Sequence, residues 1–158
     1  MNAILDELSR SLPDAHEAVR VTIRLLASLI AGAVVGLQRE HSHAPAGLRT
    51  HMLVSMGVTL FVFAEVDMGN DAMSRVIQGV ATGVGFLGAG AIIKMKGSLE
   101  IHGLTTAAGI WMTAGIGVAI GLGRLVTAAI AVVFAWFVLA IVVKVEARPD
   151  GSGEREAP

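Results

Sequence analysis

Three carboxylates fall within one short stretch, FAEVDMGNDAMSR: Glu65, Asp67 and Asp71, with Asn70 beside the last. Oxygen ligands of this kind suit a hard cation such as Mg2+, which keeps several waters and takes one or two carboxylates from a protein. The plainer reading is a solvated turn, which Met68-Gly69-Asn70-Asp71 favours by composition alone. Glu65 differs from the other two because it lies at the apolar end of a helical run, where Arg75 and Gln78 of the next run are candidate partners. A second polar constellation, QREHSHAPAGLRTH, holds Arg39, Glu40, Arg49, Thr50 and His51. Charges beside apolar runs are costly unless paired. Glu40 can pair with Arg39 or Arg49, and Thr50 can cap the helix that follows. Snorkelling arginines at a hairpin are the bland reading. An anion or headgroup site, or a contact for a partner protein, is the sharper one. His41, His43, His51 and His102 share this predicted side and include an H-x-H pair, a spacing zinc accepts. Chance placement in short loops explains the grouping equally, so no metal is assigned; the cofactor reading is none, with Mg2+ at the three carboxylates as the candidate ligand.

The segment ATGVGFLGAG has Gly83, Gly85 and Gly88 in literal G-x-G-x-x-G order. A dinucleotide loop needs a strand before it, a helix after it and an acid about 20 residues on. Here the apolar run continues on both sides and the nearest downstream acid, Glu100, comes too early. Packing is the stronger reading. Gly79 with Gly83, and Ala81, Gly85 and Ala89, are small-xxx-small sets, with Gly88 and Gly90 on the same segment. Gly32 with Gly36 and Gly117 with Gly121 repeat the spacing elsewhere. Such faces let helix backbones approach closely, within a chain or between copies. Two glycine faces on one helix predict that it is central and touched on both sides. Local unwinding over 83–90, as in broken transporter helices, is the other expectation. In GLTTAAGIW, Thr105 and Thr106 can satisfy a helix start or bond across helices, and Trp111 lies deep enough that its N–H needs a partner.

These residues are positioned by five apolar runs. The chain has 158 residues, 54% apolar and 16% charged, with mean hydropathy +0.69, against roughly 25% charged in soluble domains. A spanning helix takes about 20 mostly apolar residues. The runs predict helices over 20–38, 48–66, 75–93, 104–122 and 124–145, an all-α polytopic transmembrane bundle, with alternating β-barrel patterning absent. Short connections make sequential helices antiparallel neighbours. Residues 1–19 start no cleavable signal, and Pro13-Asp14 is a helix start signal. Residues 146–158 are polar, rich in Pro, Gly and charge, and are expected to be disordered. No cysteine is present, which excludes disulfides and thiol chemistry. No nucleophile–base pair or phosphate loop is visible, so an enzyme is the least expected class, and nothing points to nucleic acid. Lys and Arg in the short loops divide seven to five, Arg39, Arg49, Lys94, Lys96, Lys144, Arg148 and Arg155 against Arg10, Arg20, Arg24, Arg75 and Arg124. That bias puts the C-terminus in the cytoplasm and the N-terminus outside.

Several stretches in one order resemble the MgtC/SapB family of bacterial inner-membrane proteins: GLQRE at 36–40, PAGLRTH at 45–51, the run from Arg75, GVGFLGAGAI at 83–92, GLTTAAGIW at 103–111 and IGVAIGLG at 116–123. The resemblance spans about residues 20–145. It implies a five-helix inner-membrane domain with the N-terminus outside. It also implies a link to growth at low magnesium and, in pathogens, to survival inside host cells. Family members are labelled magnesium transport proteins, and some restrain other membrane machinery, including ATP synthase. The best-known members add a C-terminal soluble domain of the ACT type, whereas here only a short tail follows Lys144. Two functions are therefore expected: a membrane regulator working through helix contacts, as a homodimer or on a partner membrane protein, and, as the runner-up, a cation transporter working as an oligomer. A polar path at membrane depth separates them, and the centres of the five runs read as almost wholly apolar.

Overall fold

In a computed structural model, residues 14–94 and 101–142 are described. The expected N-terminal segment before Asp14, the lysine-bearing loop at 95–100 and the polar tail lie outside them. The chain forms five helices: α1 Ala15–His41, α2 Leu48–Ala64, α3 Asn70–Ala91, α4 Leu104–Gly121 and α5 Leu125–Phe137, the last running on as a π-helical turn, Val138–Val142. Two-residue strands, β1 Ile93–Lys94 and β2 Ile101–His102, pair antiparallel between α3 and α4, where the sequence reads only a loop. By length and composition α1 and α4 can cross a membrane, while α2 and α5 are shorter apolar helices.

The bounds differ from the sequence reading at the polar ends. The first helix starts at Ala15, directly after the Pro13-Asp14 start signal and ahead of the apolar run from 20; Glu17 and Arg20 sit in exposed early turns where water serves them. The third starts at Asn70 rather than 75, taking in polar residues that a hydropathy reading trims. It remains α-helical through Gly83–Ala91, so the unwinding expected as an alternative does not occur. The hairpin after α1 closes in a Schellman motif. Ala44 N–H bonds Arg39 C=O, His43 N–H bonds Glu40 C=O, and His43 takes the left-handed φ of 52°.

Large side chains point outward and small ones inward. On α1, Val19, Ile23, Leu26, Ile30, Val34 and Leu37 form an exposed stripe. The opposite face, Ser28, Ala31, Gly32, Val35, Gly36 and Arg39, is buried. Lipid solvates aliphatic side chains as well as other aliphatic side chains do, so membrane helices associate through close backbone packing instead. The hub is α4, which buries Thr106, Gly109, Ile110, Thr113, Ala114, Ile116, Gly117, Ile120 and Gly121 while Leu104 and Trp111 stay exposed. One apolar cluster joins it to α1 and α5 through Val35, Ile116, Ile120 and Ala135. A second joins it to α2 and α3 through Val58, Val62, Val84 and Ile110.

The third helix is therefore not the central one. The helix clamped between glycine faces is α2. A Cβ on Gly32 would lie 2.6 Å from His51 O and 2.7 Å from Met52 Cα, and one on Gly36 would lie 2.7 Å from Leu48 Cα. From the other side, a Cβ on Gly117 would lie 2.8 Å from Ser55 O, and one on Gly121 would lie 2.6 Å from Val62 Cβ. On α3, Gly88 touches Ala107, while Gly79, Gly83, Gly85 and Gly90 meet nothing within 4 Å. Glycine spacing reports a face able to pack closely; which helix fills it depends on the neighbours' shapes, which no single segment encodes.

Candidate functional site

The polar residues of α1, α2 and α4 gather in a buried seam. On α2, His51, Ser55 and Thr59 recur every fourth residue and so share one face. That face meets Gly109 and Gly117 of α4: Thr59 Oγ1 donates to Gly117 O at 3.1 Å, and a Cβ on Gly109 would lie 3.5 Å from His51 Nε2. Thr113 Oγ1 donates to Gly109 O at 2.9 Å, and Ser28 Oγ to Leu25 O at 2.9 Å. His51 is 0% exposed. Its Nδ1 lies 2.9 Å from Gly47 O. A carbonyl only accepts, so Nδ1 bears the proton. His51 Nε2 and Ser55 Oγ are buried with no partner.

At the hairpin end of the seam Arg39 is 6% exposed. Its Nη2 donates to Thr106 Oγ1 at 3.1 Å, in the first turn of α4, and its Nε reaches no acceptor. Glu40 does not pair with either arginine. Successive helix positions point about 100° apart, so Arg39 enters the bundle while Glu40 turns to the loop. There Glu40 Oε2 accepts the Leu48 N–H at 2.8 Å and packs on Gly47. A carboxylate on a free N–H at a helix start is favourable, and it takes the capping role expected of Thr50. The first residue before α2 is Gly47, which offers no side-chain cap. Arg49 is exposed and Thr50 half-buried. Thr105 is exposed, and neither it nor Thr106 caps α4, whose N-cap is Gly103.

At the opposite end Arg24 does more than snorkel. Its Nη1 donates to Gly121 O, the last carbonyl of α4, at 2.6 Å, and its guanidinium lies 4.9 Å from the Phe63 ring centre. Arg24 and Arg39 are 15 residues apart, as are Thr106 and Gly121. The two arginines of α1 thus bracket α4 in antiparallel register, about 22 Å apart along α1.

The carboxylates are not drawn together. Glu65 is half-buried just after α2, and Asp67 and Asp71 are exposed. Gln78 bonds Ser74 Oγ instead of Glu65, and Arg75 is exposed. Among the described residues, no three His, Asp or Glu side chains are arranged to hold a metal. Trp111 points outward. Sequence reasoning missed Ser28, Ser55, Thr59 and Thr113; the four-residue spacing of His51, Ser55 and Thr59 was the available signal.

A helical bundle with lipid-type outer faces, glycine-mediated packing and a buried polar seam defines a membrane-protein class. The match to the MgtC family over residues 25–148 makes the chain a member of that family. It is 47% identical over 116 residues to protein SrpB of Synechococcus elongatus, covering 65% of this chain and 64% of that one. It is 40% identical over 102 residues to protein MgtC of Salmonella typhimurium, covering 65% of this chain and 43% of that protein. Protein MgtC of Brucella abortus is 39% identical over 123 residues, 77% of this chain and 49% of that one. The chain thus spans about half the length of the curated relatives it matches. No solved structure matches it.

Proposed function

We propose that the chain is a multi-pass protein of the bacterial inner membrane, N-terminus outside and C-terminus cytoplasmic, that serves magnesium homeostasis and low-magnesium adaptation as a regulator acting through helix contacts. Five crossings in this reading leave the termini on opposite sides, and the excess of Lys and Arg in one set of loops supports the orientation. The observation that supports regulation is the division of the glycines. Those of α1 and α4 close the interior onto α2, while Gly79 and Gly83 of α3 line an outward apolar groove of about 590 Å3 with Leu53, Gly57 and Phe61 of α2. An apolar groove floored by glycine suits a second helix, here that of another copy, in an isologous pairing through α3.

Transport by an oligomer is the second reading, favoured by the seam of His51, Ser55 and Thr59 at depth. Against it, the Ser28, Thr59 and Thr113 hydroxyls are tied to backbone carbonyls, leaving Ser55 alone without a partner among the described residues, and the flanking backbones leave no room for even a methyl group at Gly32 or Gly117. Purified protein in liposomes is expected to give no Mg2+ flux above empty vesicles. Saturable flux lost in Glu65→Ala overturns the regulator reading.

A further inference from the structure

Among the described residues, Arg39 is a buried cation without a counter-ion. A guanidinium stays charged and offers five N–H donors, yet here Nη2 meets only the neutral Thr106 hydroxyl and Nε meets nothing. The adjacent carboxylate, Glu40, is committed to the Leu48 N–H. Removing a charge from water without an opposite charge is strongly unfavourable. The guanidinium also sits at the first turn of α4, which has no side-chain cap and no acidic residue. The free N–H groups and dipole of such a helix start favour an anion. Two independent features, a buried donor without an acceptor and an uncapped helix start, thus face one place.

The surroundings choose the kind of anion. One turn from Arg39 on α1 is Val35, and one turn from Thr106 on α4 is Gly109. Both line an apolar slot of about 240 Å3 between α1, α4 and α5, closed by Met112, Phe134, Val138 and Leu139. Gln38, on the same turn of α1 as Arg39, holds the Leu139 carbonyl at 2.7 Å and ties the start of the π-helical turn to α1. A basic head position leading into an apolar slot, at the end of a membrane helix, matches an amphiphile. We propose that Arg39 and the first turn of α4 bind the phosphodiester of a phospholipid, with part of one acyl chain in the slot between α1, α4 and α5. The lipid supplies the missing counter-charge and fills the slot together.

The test is thermal melting of the full chain in detergent with three additives: dioctanoyl phosphatidylglycerol, dioctanoylglycerol and inorganic phosphate. At about tenfold excess over its dissociation constant the phospholipid raises the wild-type midpoint by about 3 °C or more, while dioctanoylglycerol and phosphate leave it unchanged. Arg39→Gln loses the shift. Ala108→Phe, at an exposed position on the slot, loses it without touching the guanidinium, and so reads out the proposal even if Arg39→Gln does not fold. An undiminished shift in Ala108→Phe, or in a folded Arg39→Gln, overturns it. An equal shift with dioctanoylglycerol means an apolar slot without headgroup recognition and overturns it. An equal shift with phosphate alone means a free-anion site and overturns the lipid assignment.

Discussion

Gly36→Leu and Gly121→Leu each remove the folded bundle or destabilise it by more than about 3 kcal/mol, beyond the usual cost of overpacking. The reason is what the new side chain meets. At Gly36 the first added carbon already lies 2.7 Å from Leu48 Cα, and at Gly121 it lies 2.6 Å from Val62 Cβ and 3.1 Å from Thr59 O. Backbone atoms, and a Cβ fixed directly to its backbone, cannot swing aside as the end of a flexible side chain can, so the helices must separate. Separation costs every contact that α2 makes with α1 or α4, including the Thr59–Gly117 bond. Within a single copy, Gly79→Leu has the opposite sign. It meets nothing within 4 Å, and leucine gains up to about 0.8 kcal/mol of helix propensity over glycine. Melting followed by far-ultraviolet circular dichroism in detergent separates the two groups. Similar losses in Gly36→Leu and Gly79→Leu contradict the clamp.

Arg24→Leu lowers stability by about 2–3 kcal/mol. A hydrogen bond from a charged donor is worth about 1.5–3 kcal/mol, and this one serves the end of α4 at 2.6 Å. Its stacking over Phe63 adds about 0.5–1 kcal/mol. The residue also packs the turn between α4 and α5. Gly123 there has φ +77°, and a Cβ on it would lie 2.9 Å from Arg24 Nη2. Arg24→Lys restores only part of the loss, because an ammonium reaches the carbonyl without the flat guanidinium face on the ring. The same melts give a fall of about 5–10 °C for the leucine variant. A lysine variant as stable as wild type would reduce Arg24 to a surface charge.

Much of the architecture is visible in the chain because membrane burial demands long apolar runs. The five helices follow from that demand, but the β1–β2 pair between α3 and α4 does not. The polar ends are less visible: Glu17, Arg20, Asn70 and Asp71 are helical here, yet nothing in their hydropathy says so. The hairpin residues stood out as charges beside apolar runs. Their roles did not, since the choice between Glu40 pairing with an arginine and Glu40 capping α2 depends on which way two consecutive residues rotate. The third helix misled for a clear reason. Its glycines are denser than those of α1 or α4, but density describes a helix's own surface and not its neighbour. The seam was masked by averaging, because Ser55 and Thr59 are diluted by the valines and leucines around them.

In the structure α1 and α4 spend their glycine faces on α2, inside the chain; the central claim is the proposal that the α3 face is left for another copy. The chain has no cysteine, so single-cysteine variants report proximity directly. Oxidative crosslinking in native membranes compares Gly79→Cys and Gly83→Cys on α3 with Ile30→Cys on the outward stripe of α1. The α3 variants are predicted to give disulfide-linked dimers in clear excess over Ile30→Cys. Equal yields at all three positions would contradict the account.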